Sequence, residues 1–455
     1  MILHDSVLGL IGGTPLVRLR GVTAGLAATV AAKLEFLNPG GSIKDRIAVR
    51  MVEAAERSGR LGPGGVVVEC TSGNTGVGLA MVAALRGYRC VFTCPDKVSA
   101  DKRAVLRAYG AEVVVCPAAV PPEHPDSYRS TAARIAAETP GAVLLDQYRN
   151  PENPGSHYAG LGPEIWRQTD GAITHFVTGV GTGGTVSGAG RYLKEVSGGR
   201  VRVVGADPDG SVYSGGTGRP YLLEGVGQPT MPPSYDAAVP DEVVAVTDRD
   251  AMAMTRRLAR EEALLAGGSS GMAVVAALRI AERLPAGALV VVPLPDSGRG
   301  YLGKTFDDGW LARYGLLDPP GVPLRARDVS RGATLQVPPG EPVGQVAKLL
   351  ASGAARHVLV AAAEPPLRPA EVLGSAGEAT LAGVLAAGRA WHEPVSAVMD
   401  PPPGALGAGE PVTEVLAAGA ALILDGGLVA GVLTAADVLR HLAAAGEPAT
   451  SDGRP

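Results

Sequence analysis

Short runs of β-branched and aliphatic residues alternate with alanine-rich segments along the first two thirds of the chain. Runs that lack an alternating polar face are typical of strands buried on both faces, and the alanine-rich segments carry apolar residues at helical spacing. The sequence therefore predicts an α/β fold with a mainly parallel sheet that helices cover on both faces. The predicted strands include 66–68, 113–115, 173–178, 201–204 and 289–292.

A proline-rich stretch at 318–323 marks a change in this pattern. After it the elements become shorter, and the motif GEPV occurs at 340–343 and again at 409–412, each time before a helical segment and an apolar strand. An internal repeat of this kind predicts two similar modules packed together. We therefore divide the chain into a first domain over 1–317, a linker over 318–330, a pair of α/β modules over 331–445 and a tail over 446–455.

Composition narrows the function classes. The 455 residues suffice for two or three domains, and a net charge of −4 without a basic block favours neither nucleic acid nor an anionic membrane as a partner. We find no signal peptide and no apolar stretch of membrane-spanning length, so we expect a cytoplasmic protein. Buried thiols and no metal site are predicted for the cysteines, which stand in apolar context without a Cys-x-x-Cys pair. They are Cys70, Cys90, Cys94 and Cys116.

Segment 38–46, NPGGSIKDR, places Lys44 in the first turn of a predicted helix, directly behind a glycine turn. Ser42 and Asp45 have the spacing of a capping box. The positive end of a helix disfavours an ammonium ion, so the amine of Lys44 is biased toward the neutral form that makes a Schiff base with an aldehyde cofactor. Taken alone, the segment equally fits a surface lysine in an ordinary capped turn.

Two further glycine-rich turns lie between a predicted strand and a predicted helix. The first, TSGNTG at 71–76, offers hydroxyls and backbone N–H groups that suit a carboxylate. In the second, GVGTGGT at 179–185, the glycines let several N–H groups converge on a phosphate, with Thr182 and Thr185 as additional donors. Either loop alone also fits a tight turn without a ligand. A nucleotide site is less favoured, because no Gly-x-x-x-x-Gly-Lys-Ser/Thr motif follows a strand.

These three motifs, in this order on an alternating strand and helix pattern, resemble pyridoxal-phosphate enzymes of fold type II, the tryptophan-synthase-β type. Four more segments narrow the resemblance to the cysteine synthase and cystathionine β-synthase family. They are IGGTPLVRL at 11–19, EGVG at 224–227, GGSSG at 267–271 and LPDS at 294–297. The motifs follow the family's order and cover residues 1 to about 316. The resemblance implies a pyridoxal 5′-phosphate-dependent catalytic domain.

The resemblance also implies roles for individual residues. Lys44 would hold the cofactor covalently and later carry the substrate's Cα proton, and Asn74 would bind the phenolic oxygen of the cofactor. Ser297 would bind the pyridine nitrogen, which leaves the ring largely neutral and favours elimination over transamination. Taken alone, Ser297 equally fits a helix cap. The cofactor phosphate would be bound by Gly181, Thr182, Gly183, Gly184 and Thr185, and the substrate by Thr71, Ser72, Thr75, Gln147, Tyr148 and Gly225.

Segment 146–154, DQYRNPENP, bears on the second substrate. It resembles the cystathionine β-synthase version, in which Tyr148 stands where cysteine synthases commonly have phenylalanine. Segments 207–211 and 214–220 resemble bacterial cystathionine β-synthases as well. We therefore expect condensation of serine, or an activated serine, with homocysteine to give cystathionine, with Lys44 and Tyr148 as catalytic residues. The alternatives are a cysteine synthase using O-acetylserine and sulfide, a non-enzymatic adenosyl-ligand sensor and, for Tyr148, a structural half-buried aromatic.

Two features depart from parts of the family. At 159–161 this chain reads AGL, where the family commonly has an acidic residue and two threonines before the segment GPEI at 162–165. The threonines are natural helix caps, so we expect a local cap weakened by about 1 kcal/mol. Animal members carry an N-terminal haem segment, whereas this chain begins close to its first motif, so we expect no haem.

The C-terminal repeat resembles the tandem CBS-type modules that follow some members of this family. Segment 431–437, GVLTAAD, matches their nucleotide-facing pattern, in which Thr434 and Asp437 would contact an adenosyl effector. The corresponding copy at 383–388, GVLAAG, lacks both polar residues, so we expect at most one site. The alternative is that Asp437 caps a helix and the modules serve packing or dimerisation. We expect a loop at 376–379. For the whole protein, we expect at least a homodimer that acts on small-molecule amino acids.

Overall fold

The computed structural model describes residues 3–71, 73–96, 98, 100–117, 124–319, 321–322, 324–329, 334–353, 355, 357–387 and 391–444. The chain forms two compact units. The first comprises Met1–Gly218 and Leu223–Leu302, and the second comprises Arg219–Leu222 and Gly303–Pro455. Ser72 and the predicted tail at 446–455 lie outside the described residues.

The first unit alternates strands and helices along the chain. Its strands are β1 (Leu16–Arg18), β2 (Thr29–Leu34), β3 (Val66–Cys70), β4 (Arg89–Pro95), β5 (Glu112–Cys116), β6 (Ala142–Leu144), β7 (His175–Gly179), β8 (Arg202–Pro208), β9 (Glu242–Val246) and β10 (Leu289–Leu294). Its helices are α1 (Lys44–Arg57), α2 (Asn74–Arg86), α3 (Ala100–Ala108), α4 (Tyr128–Glu138), α5 (Glu152–Ser156), α6 (Gly162–Gln168), α7 (Gly184–Val196), α8 (Asp248–Glu261) and α9 (Gly268–Ala281).

These strands form two sheets rather than the single sheet that the sequence predicted. A six-stranded sheet has the order β1-β2-β10-β7-β8-β9 and is parallel apart from the antiparallel β1–β2 pair. A four-stranded sheet, β5-β4-β3-β6, is parallel throughout. The mainly parallel direction is therefore confirmed. The number of sheets was wrong, because hydrophobic runs identify strands but not their neighbours.

Each sheet has its own hydrophobic core. Helices α1 and α2 cover the four-stranded sheet through a cluster that includes the fully buried Met51 and Phe92. Helices α6 and α7 pack on the six-stranded sheet through a second cluster, in which Phe176 and Leu193 are fully buried. Burying an apolar side chain of this size contributes roughly 1.5–3 kcal/mol to stability.

The loops with candidate chemistry leave the sheets at the carboxyl ends of parallel strands. The TSGNTG loop follows β3, the GVGTGGT loop follows β7, and the LPDS motif closes β10. Strands β7 and β10 are direct neighbours, so their two loops emerge side by side. The carboxyl edge of a parallel sheet is the usual place for a ligand site in an α/β fold.

The second unit contains two modules of the same topology, as the sequence repeat predicted. Sheets β11-β12-β13 and β14-β15-β16 each combine one parallel and one antiparallel strand pair in the same order. The elements of this unit are α10 (Asp308–Arg313), β11 (Thr334–Val337), α11 (Val343–Ala351), β12 (His357–Ala361), β13 (Val372–Gly377), α12 (Glu378–Ala386), β14 (Ala405–Gly407), α13 (Thr413–Ala418), β15 (Ala420–Asp425), β16 (Leu428–Thr434) and α14 (Ala435–Ala444).

Three details of this unit differ from the sequence prediction. Because β13 and α12 correspond to β16 and α14, the first copy of the GVLTAAD motif lies at 374–380, whereas Gly383 belongs to the interior of α12. The loop expected at 376–379 is the direct junction of β13 with α12. Residues 303–317 group with the second unit, because α10 packs so closely on β14 that a Cβ at Gly407 would lie 1.7 Å from the carbonyl oxygen of Ala312.

Across the described residues, none of the helices is both long enough and apolar enough to cross a membrane.

Candidate active site

Lys44 opens helix α1 and lies on the wall of an open cavity with an empty volume of about 410 Å³. The predicted capping box is wrong, because the Oγ of Ser42 accepts a hydrogen bond from the backbone N–H of Lys44 at 3.1 Å while Asp45 turns away. The Asp45 carboxylate accepts from the N–H of Gly40 at 2.6 Å and so stabilises the glycine turn. The cavity is lined by Ile43, Lys44, Thr178, Gly179, Gly181, Thr182, Gly183, Thr185, Gly225, Val226, Pro293 and Pro295.

The environment of Lys44 favours its neutral amine. Burial lowers the pKa of Lys44 from 10.5 to about 8, and the nearby charge of Asp296 partly opposes this shift. The sequence suggests the helix dipole as the cause of the neutral form, whereas the principal cause is desolvation of the ammonium ion. The lowered pKa makes the neutral amine far more abundant near pH 7 than in an ordinary lysine, and this favours attack of Lys44 on an aldehyde.

The GVGTGGT loop forms another part of the cavity wall and leads into helix α7. A Cβ at Gly181 would lie 2.5 Å from the carbonyl oxygen of Gly225, and Gly183 has a φ of 87° as the N-cap residue of α7. Glycine is therefore required at both positions, by close packing at the first and by the left-handed backbone at the second. The loop ends at Thr185, and α7 is long enough for its N-terminal N–H groups to attract an anion.

These features fit pyridoxal 5′-phosphate. The aldehyde requires a neutral amine, which Lys44 provides, and the phosphate requires converging donors, which the loop before α7 provides. Gly181, Thr182, Gly183 and Thr185 line the same cavity as Lys44, as the sequence predicted for a shared site. Gly184 lies behind them in the first turn of α7.

Asn74 and Ser297 are linked to the Lys44 region through Asp296. The Nδ2 of Asn74 donates to Oδ2 of Asp296 at 2.8 Å, and the hydroxyl of Tyr301 donates to the same oxygen at 2.6 Å. Burial raises the pKa of Asp296, although the hydrogen bonds from Tyr301 and Asn74 oppose the shift. Ser297 caps a short 3₁₀ turn, its Oγ accepting from the N–H of Arg299 at 3.3 Å. The sequence predicted a role for Ser297 in the LPDS motif but none for its neighbour Asp296.

The predicted carboxylate loop has its own internal hydrogen bonds. Thr75 donates to Oε1 of Gln147 at 2.7 Å, and the Nε2 of Gln147 donates to the carbonyl oxygen of Cys70 at 3.4 Å. Thr71 is buried and its Oγ1 accepts from the N–H of Gly73 at 3.3 Å. The hydroxyl proton of Thr75 is thus occupied, and the donors left for a carboxylate include the Thr71 hydroxyl and the backbone N–H groups at the start of α2.

Tyr148 lies next to this loop but not on the cavity wall. Its ring packs against the cluster that contains Val68 and Cys70, and the guanidinium carbon of Arg129 lies 5.0 Å from the ring centroid. Burial raises the pKa of Tyr148, so the phenol stays protonated at every physiological pH. Gln147 thus contacts the TSGNTG loop through Thr75, whereas Tyr148 packs on the end of β3 that precedes the loop.

A buried ionic network holds α1 in place, and the sequence did not predict it. Arg46 donates to both carboxylate oxygens of Glu35 and to both of Glu164, at 2.6–2.9 Å. Lys33, fully buried in β2, donates to Glu164 at 2.9 Å and to Oε1 of Gln168 at 2.9 Å. Hydrogen bonds and charge from Arg46 and Lys33 outweigh burial and lower the pKa of Glu164 to about 2. A lysine inside an otherwise apolar strand is the available sequence signal.

The departure at 159–161 does not affect a helix start. Helix α5, a π-helical segment at His157–Leu161 and α6 follow one another without a break, and Leu161 has helical dihedrals of −61° and −45°. Gly162 therefore needs no cap, and the expected loss of capping energy is wrong. Single π-helical turns inside α-helices are rare and frequently lie at functional sites.

In the second unit, Thr434 and Asp437 contact each other. Oδ2 of Asp437 accepts from the N–H of Thr434 at 2.9 Å and from its hydroxyl at 2.6 Å, and Oδ1 pairs with Arg440. These bonds close the first turn of α14, as in the capping alternative. Among the described residues, no group of three or more histidine, cysteine or acidic side chains could hold a metal ion, and all four cysteines are buried free thiols.

Comparison with known proteins identifies the class. Residues 7–296 match the family described as "Pyridoxal-phosphate dependent enzyme". The chain therefore belongs to the pyridoxal-phosphate dependent enzymes, and pyridoxal phosphate is the cofactor of this family. The predicted fold type II class and the resemblance to cystathionine β-synthases are both confirmed.

Several relatives of the chain are named cystathionine beta-synthase. The chain is 42% identical to the cystathionine beta-synthase of Apis mellifera over 321 residues, 69% of this chain and 64% of that protein. It is 42% identical to the cystathionine beta-synthase of Mus musculus over 353 residues, 73% of this chain and 62% of that protein. The matches thus span less than two thirds of the length of these relatives.

Two solved structures are similar to the first two thirds of the chain. One is the O-acetylserine dependent cystathionine beta-synthase of Helicobacter pylori, with a TM-score of 0.63, 36% identity, and coverage of 67% of this chain and 99% of that one. The other is a hydrogen sulfide-producing enzyme of Fusobacterium nucleatum, with a TM-score of 0.62, 33% identity, and coverage of 66% of this chain and all of that one.

Proposed function

We propose that this protein is a cystathionine β-synthase, which replaces the β-substituent of serine or an activated serine with the sulfur of homocysteine. The observation that carries the proposal is the shared cavity of Lys44 and the GVGTGGT loop, which brings a partly neutral amine into one site with a phosphate cradle, residues 181–185. The cystathionine β-synthases at 42% identity support the choice of reaction.

Bound pyridoxal phosphate supplies an electron sink that lets the Cα–H and Cβ–substituent bonds of an amino acid break in turn. Lys44 would hold the cofactor and would move the Cα proton, a role suited to a pKa of about 8. Asn74 has a second N–H beyond the one given to Asp296, and this N–H would donate to the phenolic oxygen of the cofactor. Ser297 keeps its hydroxyl proton while its oxygen accepts from Arg299, so it can donate to the pyridine nitrogen.

The first substrate's carboxylate is bound by the loop before α2. Thr71 and the backbone N–H groups there face an amino-acid carboxylate, and Gln147 orients the loop through Thr75. Ser72, assigned to the same role from the sequence, and Gly225, on the cavity wall, complete the proposed set. Tyr148 adjoins Gln147 and is proposed to orient homocysteine when it enters.

A product assay tests this function and separates it from the cysteine synthase alternative. The purified holoenzyme is offered serine or O-acetylserine, each with homocysteine or sulfide, and products are measured by mass spectrometry. Cystathionine should form at a higher kcat/KM than cysteine with at least one of the two donors. Cysteine as the only product would replace the proposal with cysteine synthesis, and no turnover with any pair would leave the adenosyl-ligand sensor.

The remaining parts of the proposal concern assembly and regulation. We propose a cytoplasmic homodimer in which residues 331–445 are a CBS-type regulatory pair. Thr434 and Asp437 are the proposed contacts for an adenosyl effector, which requires Asp437 to exchange its present bonds with Thr434 and Arg440 for the ligand. Isothermal titration with adenosyl compounds tests this, and an unchanged heat signature for Asp437→Ala would reject the site.

A further inference from the structure

The α5 segment and the π-helical turn after it lie directly behind the phosphate cradle. Two glycines of α7, one helical turn apart, allow this close approach. A Cβ at Gly184 would lie 1.9 Å from Oδ1 of Asn153, and a Cβ at Gly188 would lie 2.0 Å from the carbonyl oxygen of Pro154. Any larger side chain at either position would separate the two segments.

From this face, two fully buried side chains reach the threonines of the cradle. The Nδ2 of Asn153 donates to Oγ1 of Thr182 at 2.9 Å, and Nε2 of His157 lies 3.3 Å from Oγ1 of Thr185. Asn153 and His157 are four residues apart, so they lie on one face of the helical run. Thr182 and Thr185 line the cavity and these two side chains do not, so each contacts a hydroxyl oxygen from outside the cavity wall.

The chemistry of the contacts fixes where the hydroxyl protons point. An amide nitrogen only donates, so Thr182 uses a lone pair toward Asn153 and keeps its proton for another acceptor. A bound phosphate only accepts, so Thr185 must also donate its proton into the cavity. The nitrogen that faces Thr185 must then carry a proton, which makes Nε2 of His157 a donor.

The second ring nitrogen agrees with this assignment. Nδ1 of His157 is buried and makes no hydrogen bond to any described residue. A buried N–H without an acceptor is costly, so the bare nitrogen is expected at this position. The charged groups that face the ring are Lys44 and Arg46, and they lower the pKa of His157 together with burial, which is the larger cause. The doubly protonated form is therefore excluded at physiological pH.

We propose that Asn153 and His157 are positioning residues that present the hydroxyls of Thr182 and Thr185 as donors to the cofactor phosphate, with His157 as the neutral Nε2–H tautomer. The π-helical turn beginning at His157 aims the imidazole at Thr185. The inference rests on the phosphate site of the proposed function and goes beyond it by assigning two residues outside the cavity wall.

Three variants of His157 test the donor role. In His157→Gln the side-chain nitrogen lies as many bonds from Cβ as Nε2 does and still donates, whereas His157→Asn is too short and His157→Leu cannot donate. The cofactor dissociation constant, measured after resolution and reconstitution, should stay within about threefold of the parent for Gln and rise about tenfold or more for Asn and Leu. Asn153→Leu should match His157→Leu. His175→Gln, a half-buried histidine elsewhere in β7, is the control.

The tautomer is tested directly on ¹⁵N-histidine-labelled holoenzyme. The resonances absent from His157→Gln belong to His157, and their long-range ¹⁵N–¹H pattern should be that of an Nε2–H imidazole, unchanged between pH 6 and 8. An Nδ1–H pattern, a titration in this range, or equal cofactor affinity of all three variants would overturn the inference. Failure of the proposed phosphate site is distinct, because the parent protein itself would then bind no cofactor, and failure of the proposed reaction appears only in the product assay. Unfolding midpoints of the variants without cofactor separate loss of fold from loss of phosphate binding.

Discussion

The amide of Asn74 and the carboxylate of Asp296 are joined by a 2.8 Å hydrogen bond that connects the start of α2 with the end of β10. Asp296 also accepts from Tyr301 and interacts with the charge of Lys44. One buried carboxylate therefore both orients a residue assigned to the cofactor and adjusts the basicity of the lysine. Burial lowers the pKa of Lys44, and Asp296 limits the size of that shift.

Removing this charge should make Lys44 less basic. In the protein without cofactor, the neutral amine is present above a pKa of about 8, so covalent attachment of pyridoxal phosphate should accelerate as pH rises through about 8. Asp296→Asn should shift that midpoint to lower pH, because the carboxylate that favours the ammonium form is lost. Stopped-flow absorbance across pH 6–10 measures it. An unmoved or raised midpoint would show that Asp296 does not act on Lys44, and Asp236→Asn, an exposed carboxylate paired with Arg191, is the control.

Ser297→Asp separates the capping role from the cofactor role of this position. Aspartate caps a helix about as well as serine, so the free energy of unfolding should stay within about 1 kcal/mol of the parent value. Turnover should nevertheless fall, because a carboxylate at the pyridine nitrogen changes the electronic character of the ring. Steady-state rates and denaturant titration are compared for Ser297→Asp and Ser297→Ala. Full activity of Ser297→Asp would mean that the residue only caps the turn.

Tyr148→Phe tests the choice of sulfur acceptor. Loss of one hydrogen bond is worth roughly 0.5–1.5 kcal/mol, so the KM for homocysteine should rise about three- to tenfold. Release of the β-substituent from serine, measured without an acceptor, should change less because it precedes entry of homocysteine. Tyr192→Phe, which changes a partly buried tyrosine of α7 that packs on the core of the six-stranded sheet, serves as the control. A larger effect with sulfide than with homocysteine would favour the cysteine synthase alternative.

The network around Arg46 should dominate the stability of α1. Glu164→Gln leaves the buried charges of Arg46 and Lys33 with one carboxylate fewer, and breaking a buried ion pair costs about 3–5 kcal/mol. Glu261→Gln removes an exposed carboxylate that pairs with Arg257, and we expect a much smaller cost because solvent screens that pair. Urea unfolding of both variants gives the comparison. Equal costs would show that the buried network is not a stabilising element.

Local sequence patterns predict the strands, the glycine-rich loops and the position of Lys44 at a helix start, because each depends on neighbours along the chain. The sequence also predicts a cap at Asp45 that does not form, since the Asp45 carboxylate accepts from the N–H of Gly40. Arg46 and Glu164 meet from segments far apart in sequence. No spacing rule encodes such a contact.

The second unit shows the same limit. The two GEPV motifs predict the repeat, but the sequence pattern puts the first module's copy of GVLTAAD at 383–388, a segment that begins inside α12. Alanine and leucine serve both a strand end and a helix interior, so the pattern at 383–388 was ambiguous without the strand pairing of β13.

The proposed function depends on the amine of Lys44 carrying the cofactor in this cavity. Borohydride reduction of the holoenzyme followed by peptide mass mapping tests this attachment, with Lys44→Ala as the control. We expect a pyridoxyl group on the peptide that contains Lys44, and a folded Lys44→Ala variant that has neither the label nor turnover. A label on another lysine, or full activity of Lys44→Ala, would contradict it.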